Sequence, residues 1–235
     1  MQHGSVIQEE ITRFEGLAAR WWDPNGPMRP LHMMNAPRAA WVAERVKRNL
    51  GPGVEILDVG CGAGLLSEAL AREGFDVLGL DAGAEIIEVA RGHAAGQELN
   101  LAYRNGTAEE LVAEGLKFPV VTALEVIEHV ADPEAFLRSL AALLEPEGLL
   151  FLSTLNRTPQ SFLTAKVGAE YVLRLLPAGT HDWKKFITPV ELGQLCRAAG
   201  LRLAETAGLS FSPAAREFRV SRNLSVNYLA LAVAG

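Results

Sequence analysis

Three glycines fall within five positions of the segment ILDVGCGAGLL (56–66): Gly60, Gly62 and Gly64. They follow a short apolar run and precede a helical pattern, a strand-to-helix turn where a ligand can approach backbone N–H groups closely. A dinucleotide fingerprint needs GxGxxG, but the sixth position is Leu65, and a phosphate loop needs Gly-Lys-Ser/Thr, which this segment lacks. Two carboxylates complete the pattern: Asp58 ends the strand before the loop, and Asp81 ends the next strand, in LGLDAG. A carboxylate about 20 residues past the loop suits two ribose hydroxyls. Asp58 suits a cation better than a pyrophosphate. A ligand with an adenosine ribose, an ammonium and a sulfonium meets these demands. That ligand is S-adenosylmethionine, with its carboxylate at the helix N-terminus. A glycine turn without a ligand and an NAD enzyme are the competing readings.

A second group is Glu125, Glu128 and His129 in LEVIEHV. Spacings of three and four would turn all three side chains one way on a helical turn. Two carboxylates and an imidazole are then a donor set for a divalent cation. Two further histidines compete as a general base: His181, beside Asp182 in GTHDW, and His32 in RPLHMM. An aspartate can orient such an imidazole; equally, His181 caps loop backbone. Trp21 and Trp22 either wall an aromatic pocket or staple the first helix to the domain. His3 and His93 read as surface residues, Cys61 as a small filler in the loop, and Cys196 as part of a helix core face.

The elements that must position these groups alternate. The chain has 235 residues, 49% hydrophobic and 21% charged, which suits one α/β domain with a sizeable core. A net charge of −6 argues against a broad nucleic-acid surface. Two cysteines build neither a disulfide framework nor a zinc site, so a reducing cytosol is expected. The N-terminal segment lacks the features of a secretory signal. No apolar run approaches the ~18 residues of a membrane span. Helices are expected over 8–21 and 36–49, then strand 54–59, helix 63–73, strand 75–80, helix 84–95, strand 100–105, strand 118–124, helix 133–144 and strand 148–155. Continuous apolar strands such as FPVVTAL mark a parallel sheet covered on both faces. After 155 the rhythm breaks into a long irregular segment. Thr188 as N-cap, Pro189 at the first helical position and Gly200 as stop define the next helix. Strands at 202–211 and 224–233 close the sheet.

DVGCGAG with LGLDAG, at this spacing, resembles the class I S-adenosylmethionine-dependent methyltransferases. The resemblance implies a Rossmann-like, seven-stranded α/β sheet with helices on both faces. An N-terminal helical cap (1–50), a cofactor-binding core (54–155), a lid or membrane-facing insertion after strand five (156–187) and a completing segment (188–235) make up the one domain. Further segments are similar to the ubiquinone biosynthesis O-methyltransferases over nearly the whole chain: FEGLAARWWDPNGPMRPLHMMNAPR, EVIEHVADPEAFL, STLNRTPQSF, VGAEYVLRLLPAGTHDWKKFITPVEL and VNYLA. STLNR and GTHDWKKFI are distinctive, whereas the glycine loop is shared by the superfamily. This resemblance implies methylation of ring hydroxyls on polyprenylated phenols and catechols, 2-polyprenyl-6-hydroxyphenol and 3-demethylubiquinol, and a place in a ubiquinone-biosynthesis complex.

The resemblance also assigns residues. Arg38 would meet the methionine carboxylate, Gly60 and Gly62 form the loop, Asp81 holds the ribose and Leu124 lines the adenosine pocket. Thr107 stands where many relatives carry Asp near adenine, and a backbone contact from Ala108 takes its place. Pro119 stands where many open the fourth strand with Asp. Glu125, Glu128 and His129 match residues through which relatives are described as magnesium-dependent. The same EHV occurs in methyltransferases without metal, where His129 touches substrate or only packs.

Methyl transfer from a sulfonium is an in-line displacement on an activated carbon. A phenol ionises near pH ~10, so only about one in a thousand is phenolate at neutral pH, and the site needs a base or a metal. The expected catalytic residues are His129, Glu128 and His181. A polyprenylated substrate lives in a bilayer. Between 157 and 185 the chain carries five basic and two acidic residues with a row of apolar ones. Docking of residues 160–185 on an anionic membrane surface follows, with a lid helix over the substrate as the other reading. Peripheral membrane association of a cytoplasmic enzyme is the resulting expectation. The alternatives are a methyltransferase for another small molecule and a non-catalytic cofactor-binding subunit of a biosynthetic complex.

Overall fold

Ile56 and Leu57 are neighbours in strand β1 (Glu55–Val59), and both are fully buried, in opposite layers. Successive strand residues face opposite sides, so an uninterrupted apolar run needs cover on both faces. The same holds for Val120 and Val121 in β4 (Phe118–Leu124) and for Leu149 and Leu150 in β5 (Leu144–Leu155). The computed structural model describes residues 5–163, 183–212 and 214–234. One layer is built by α5 (Ala108–Ala113), α6 (Pro133–Ala142) and α8 (Pro189–Ala198) through Leu111, Leu137, Leu140 and Leu192. The other is built by α2 (Arg29–Asn49) and α3 (Leu65–Arg72) through Val42, Val46, Leu66 and Leu70. Each such side chain contributes roughly 1.5–3 kcal/mol by leaving water.

The sheet runs β3–β2–β1–β4–β5–β8–β6–β7, with β2 (Asp76–Asp81), β3 (Leu101–Asn105), β6 (Leu201–Ser212), β7 (Glu217–Ser221) and β8 (Asn227–Ala234). Strands β1 to β5 are parallel, and β8 inserts antiparallel between β5 and β6. Strand order reverses between β1 and β4, and ligands of open α/β sheets bind at the carboxyl ends there. Among the described residues the sheet has eight strands, not the expected seven. The extra one, β7, ends the sheet and pairs with β6. Its sequence EFRVS is short, charged and largely solvent-facing, the character of a protected edge that carries little apolar signal.

Other boundaries moved. The expected helix 8–21 is α1 (Gln8–Glu15), closed by Gly16, followed by a 3-10 turn Ala18–Arg20. Helix α2 starts at Arg29, with Pro30 in its first turn and Pro37 inside it. Helix α5 was not expected, although Thr107 and Glu110 form a capping box at its start. Helix α4 (Ala84–Ala94) lies close to its expected span, and α8 begins at the Thr188 cap with Pro189 behind it. A short α7 (Pro159–Ser161) leads toward residues 164–182, and a 3-10 turn Trp183–Lys185 follows them. His181 and most of the membrane-facing segment lie outside the described residues.

Candidate active site

The glycine loop is held from below. Gly60 and Cys61 both donate to the Leu80 carbonyl, at 2.7 and 3.1 Å, which ties the loop to the end of β2. Gly60 and Gly62 have φ of 69° and 54°, the left-handed region. A Cβ on Gly60 would meet Val126 Cγ2 at 2.5 Å, and one on Gly62 would meet the Trp21 ring at 2.4 Å. Glycine is needed here for close approach as well as for the turn. Trp21 therefore belongs to the pocket wall. Trp22 has the other role: it donates to the Ala63 carbonyl at 2.9 Å and stacks on His93 with ring centroids 3.4 Å apart. His93 is not a free surface residue, since its Nδ1 lies 2.6 Å from the buried Glu68. His32 bonds the Trp21 carbonyl and does not line the cavity.

One cavity collects most of the expected site. Arg38, Asp58, Gly60, Gly62, Asp81, Ala108, Leu124, Glu125 and His129 all line it. Asp81 accepts from Gly62 N at 2.9 Å and from Gly83 N at 2.8 Å, and burial raises its pKa against these two bonds. Its two oxygens retain lone pairs for further donors. Asp58 is almost fully buried and accepts from Ser67 at 2.6 Å and Thr122 at 2.7 Å. Burial pushes its carboxyl up to about 6, and those two hydroxyls oppose the shift.

Arg38 is buried, bonds Asn35 at 3.4 Å, and among the described residues its Nε has no hydrogen-bond partner. Burial lowers its pKa, and the charges of Glu125 and Asp58 hold it up. An incompletely paired buried guanidinium calls for an anion. Arg38, the two carboxylates and the glycine cradle together fit the amino-acid and ribose parts of S-adenosylmethionine. Thr107, in the position where Asp was missing, is the N-cap of α5.

The LEVIEHV group does not turn one way. Glu125 has φ of 60°, unusual for a residue with a side chain, so the helical spacing fails at its first member. Its backbone N–H reaches Ser153, and its carboxylate takes bonds from Ser153 at 2.6 Å and Asn227 at 3.0 and 3.1 Å. His129 ends the 3-10 turn Ile127–His129, with Nδ1 3.3 Å from Glu10 Oε2 and its ring edge-on to Phe14. Glu128 is buried, Thr154 donates to its Oε2 at 3.0 Å, and among the described residues its Oε1 has no hydrogen-bond partner. Burial first, then the Glu125 charge, raises its carboxyl to about 7. It does not line the cavity. Among the described residues no three His, Cys, Asp or Glu side chains are arranged to hold a metal ion.

Several lining residues carried no sequence signal. Glu10 and Phe14 come from α1, and Glu109 on α5 accepts from Ser5 N at 3.0 Å. They are ordinary amphipathic-helix residues in the sequence, and only the folding of α1 over the cavity gives them a place.

A mixed sheet whose parallel strands reverse order between β1 and β4, with the glycine loop and Asp81 at that reversal, defines a class I S-adenosylmethionine-dependent methyltransferase. The family described as "Methyltransferase domain" matches residues 32–206. Among solved structures, the plantazolicin methyltransferase BpumL with S-adenosylhomocysteine shares the fold at TM-score 0.67 and 17% identity, covering 97% of this chain and 98% of that one. Magnesium protoporphyrin IX methyltransferase from Synechocystis, also with S-adenosylhomocysteine, aligns at TM-score 0.62 and 21% identity, covering 84% and 82%. A ubiquinone biosynthesis O-methyltransferase of Cereibacter sphaeroides is 49% identical, with 97% of each chain covered. One from Xanthomonas campestris is 49% identical, covering 96% of this chain and 94% of its own. The chain belongs to the ubiquinone biosynthesis O-methyltransferase family, and S-adenosylmethionine is its methyl donor.

Proposed function

We propose that the acceptor is a ring hydroxyl of a polyprenylated phenol or catechol, 2-polyprenyl-6-hydroxyphenol or 3-demethylubiquinol, and that His129 takes its proton. The acceptor class rests on relatives named for ubiquinone biosynthesis over nearly the full chain. The observation that carries the catalytic reading is that His129 lines the same cavity as Arg38, Gly60 and Asp81. In the reaction the phenol oxygen attacks the methyl carbon along the sulfur–carbon axis. The C–S bond breaks with its electron pair going to sulfur, S-adenosylhomocysteine leaves neutral at sulfur, and the phenol proton passes to the imidazole. Holding the two reactants in line contributes up to roughly 7–11 kcal/mol.

Magnesium is a second reading, favoured by one observation: among the described residues the buried Glu128 Oε1, beside the Glu125 charge, has no hydrogen-bond partner. Such an oxygen is costly, and Glu128, Glu125 and His129 would be the groups to hold a cation there. The donors suit magnesium in type, although the described side chains do not converge on one point. A bound cation would supply charge neutralisation for a catecholate. Thermal melting with added magnesium and with chelator tests this reading: a magnesium-dependent rise absent from Glu128→Gln supports it, and no rise removes it.

Among the described residues no helix is long and apolar enough to cross a membrane. Peripheral docking of the 160–185 segment on an anionic bilayer, at its cytoplasmic face, is part of the same proposal, as is a biosynthetic complex around the enzyme and a second base in His181. Flotation with anionic vesicles tests the docking: enrichment that Leu175→Glu with Leu176→Glu abolishes supports it, and absence of enrichment overturns it. The function itself is tested by transfer of a labelled methyl group to a demethylubiquinol analogue. Binding of the donor without turnover on any catechol would favour the non-catalytic subunit instead.

A further inference from the structure

Helix α1 buries none of its own residues, yet Ile7, Glu10, Ile11 and Phe14 line the cavity. It is held by polar contacts at both ends. Ala131 N donates to the Ser5 carbonyl at 2.8 Å, Ser5 N donates to Glu109, and Glu85 N at the start of α4 donates to Glu15 at 3.4 Å. Between these anchors Glu10 is the hub. Its Oε2 lies 3.3 Å from His129 Nδ1 and 2.6 Å from Arg13, and its Oε1 lies 3.7 Å from Lys185. Phe14, four residues on and so on the same helix face, meets the His129 ring edge-on at 5.2 Å and 89°.

We infer that Glu10 is a positioning residue for His129, so that the acceptor side of the cavity is complete only when α1 is docked. A carboxylate beside Nδ1 holds the imidazole in one tautomer and one orientation, and Phe14 fixes the ring plane. Arg13 and Lys185 hold the Glu10 carboxylate in place, and Lys185 joins this clamp to the segment that follows residues 164–182. The inference rests on the reading that His129 serves the acceptor.

A double-mutant cycle on the full chain tests it. Glu10→Met keeps the side chain's size and removes the acceptor, while Glu10→Gln keeps an oxygen for Nδ1–H. The inference predicts that Glu10→Met lowers kcat about 10- to 100-fold, the scale of a misplaced catalytic group. The KM for S-adenosylmethionine should stay within about twofold, because the residues that hold the donor are untouched. Glu10→Gln should recover most of the loss. Both variants should melt near the parent, since α1 buries no core residue. In a His129→Ala background Glu10→Met should cost nothing further. Full activity in Glu10→Met, or the same fold loss with and without His129, would overturn the inference. Full activity in His129→Ala would overturn the underlying reading instead, so the two failures are distinct.

Discussion

Gly62 donates its backbone N–H to Asp81 Oδ2 at 2.9 Å, a side-chain tie that adds to the two backbone bonds to Leu80 in joining the loop after β1 to the end of β2. Asp81 is thereby a structural anchor as well as a ligand candidate. Asp81→Ala removes the bonds to both Gly62 and Gly83. Hydrogen bonds to a charged group contribute about 1.5–3 kcal/mol. Donor affinity should therefore fall by at least about tenfold, by calorimetric titration of S-adenosylhomocysteine. Unchanged affinity would overturn the ribose assignment.

Gly62→Ala places a methyl group 2.4 Å from the Trp21 ring at a positive φ. Left-handed backbone costs roughly 1–2 kcal/mol for a residue with a Cβ, and overpacking about 1–3 kcal/mol. Each kcal/mol lowers the melting temperature by about 2–4 °C at this size. A drop of at least several degrees is expected, partly relieved by Trp21→Phe. A melting curve identical to the parent would contradict the close approach seen here.

Arg38 makes a ligand-specific prediction. Arg38→Met should weaken S-adenosylmethionine and S-adenosylhomocysteine about tenfold or more, as expected for loss of a charge-assisted bond. Adenosine, which has no carboxylate, should bind as before. Competition titration of the three ligands separates these outcomes, and equal weakening of adenosine would move Arg38 from ligand contact to scaffold.

Asp58 gives a proton-linked prediction. Its carboxyl ionises near 3.8 in an unfolded chain and near 6 in the fold. Between those values the folded state binds more protons, so this group's share of stability falls as pH rises through the window and is absent above it. A cationic donor next to Asp58 favours the ionised form. Binding at pH 6 should therefore release protons, seen as a binding enthalpy that depends on the buffer's ionisation heat. Asp58→Asn should lose the dependence. No buffer dependence in the parent would separate Asp58 from the donor's cationic groups.

The cofactor half was legible in the sequence because backbone geometry and strand ends dictate it. Glycines at a strand-to-helix turn and carboxylates at two strand ends are local patterns, and Asp58, Gly60, Gly62 and Asp81 all line the cavity. The apolar runs of β1, β4 and β5 were equally plain, since both of their faces are covered. The acceptor half was not. The spacing of Glu125, Glu128 and His129 assumes a helical turn, but the positive φ of Glu125 sends the three carboxylate and imidazole groups to Ser153 and Asn227, to Thr154 and to Glu10 respectively. Glu10 meets His129 across more than a hundred residues, and no spacing reports such a contact. Strand β7 escaped for the opposite reason: an exposed edge buries too little to leave a period.

O-methylation of a polyprenylated diphenol can be observed directly. The most direct measurement is incubation with methyl-labelled S-adenosylmethionine and a short-chain demethylubiquinol analogue, followed by NMR of the product. One labelled methyl on a ring oxygen is expected, with stoichiometric S-adenosylhomocysteine and loss of turnover in His129→Ala. A labelled methyl on carbon, or no transfer to the diphenol while another small molecule is methylated, would contradict it.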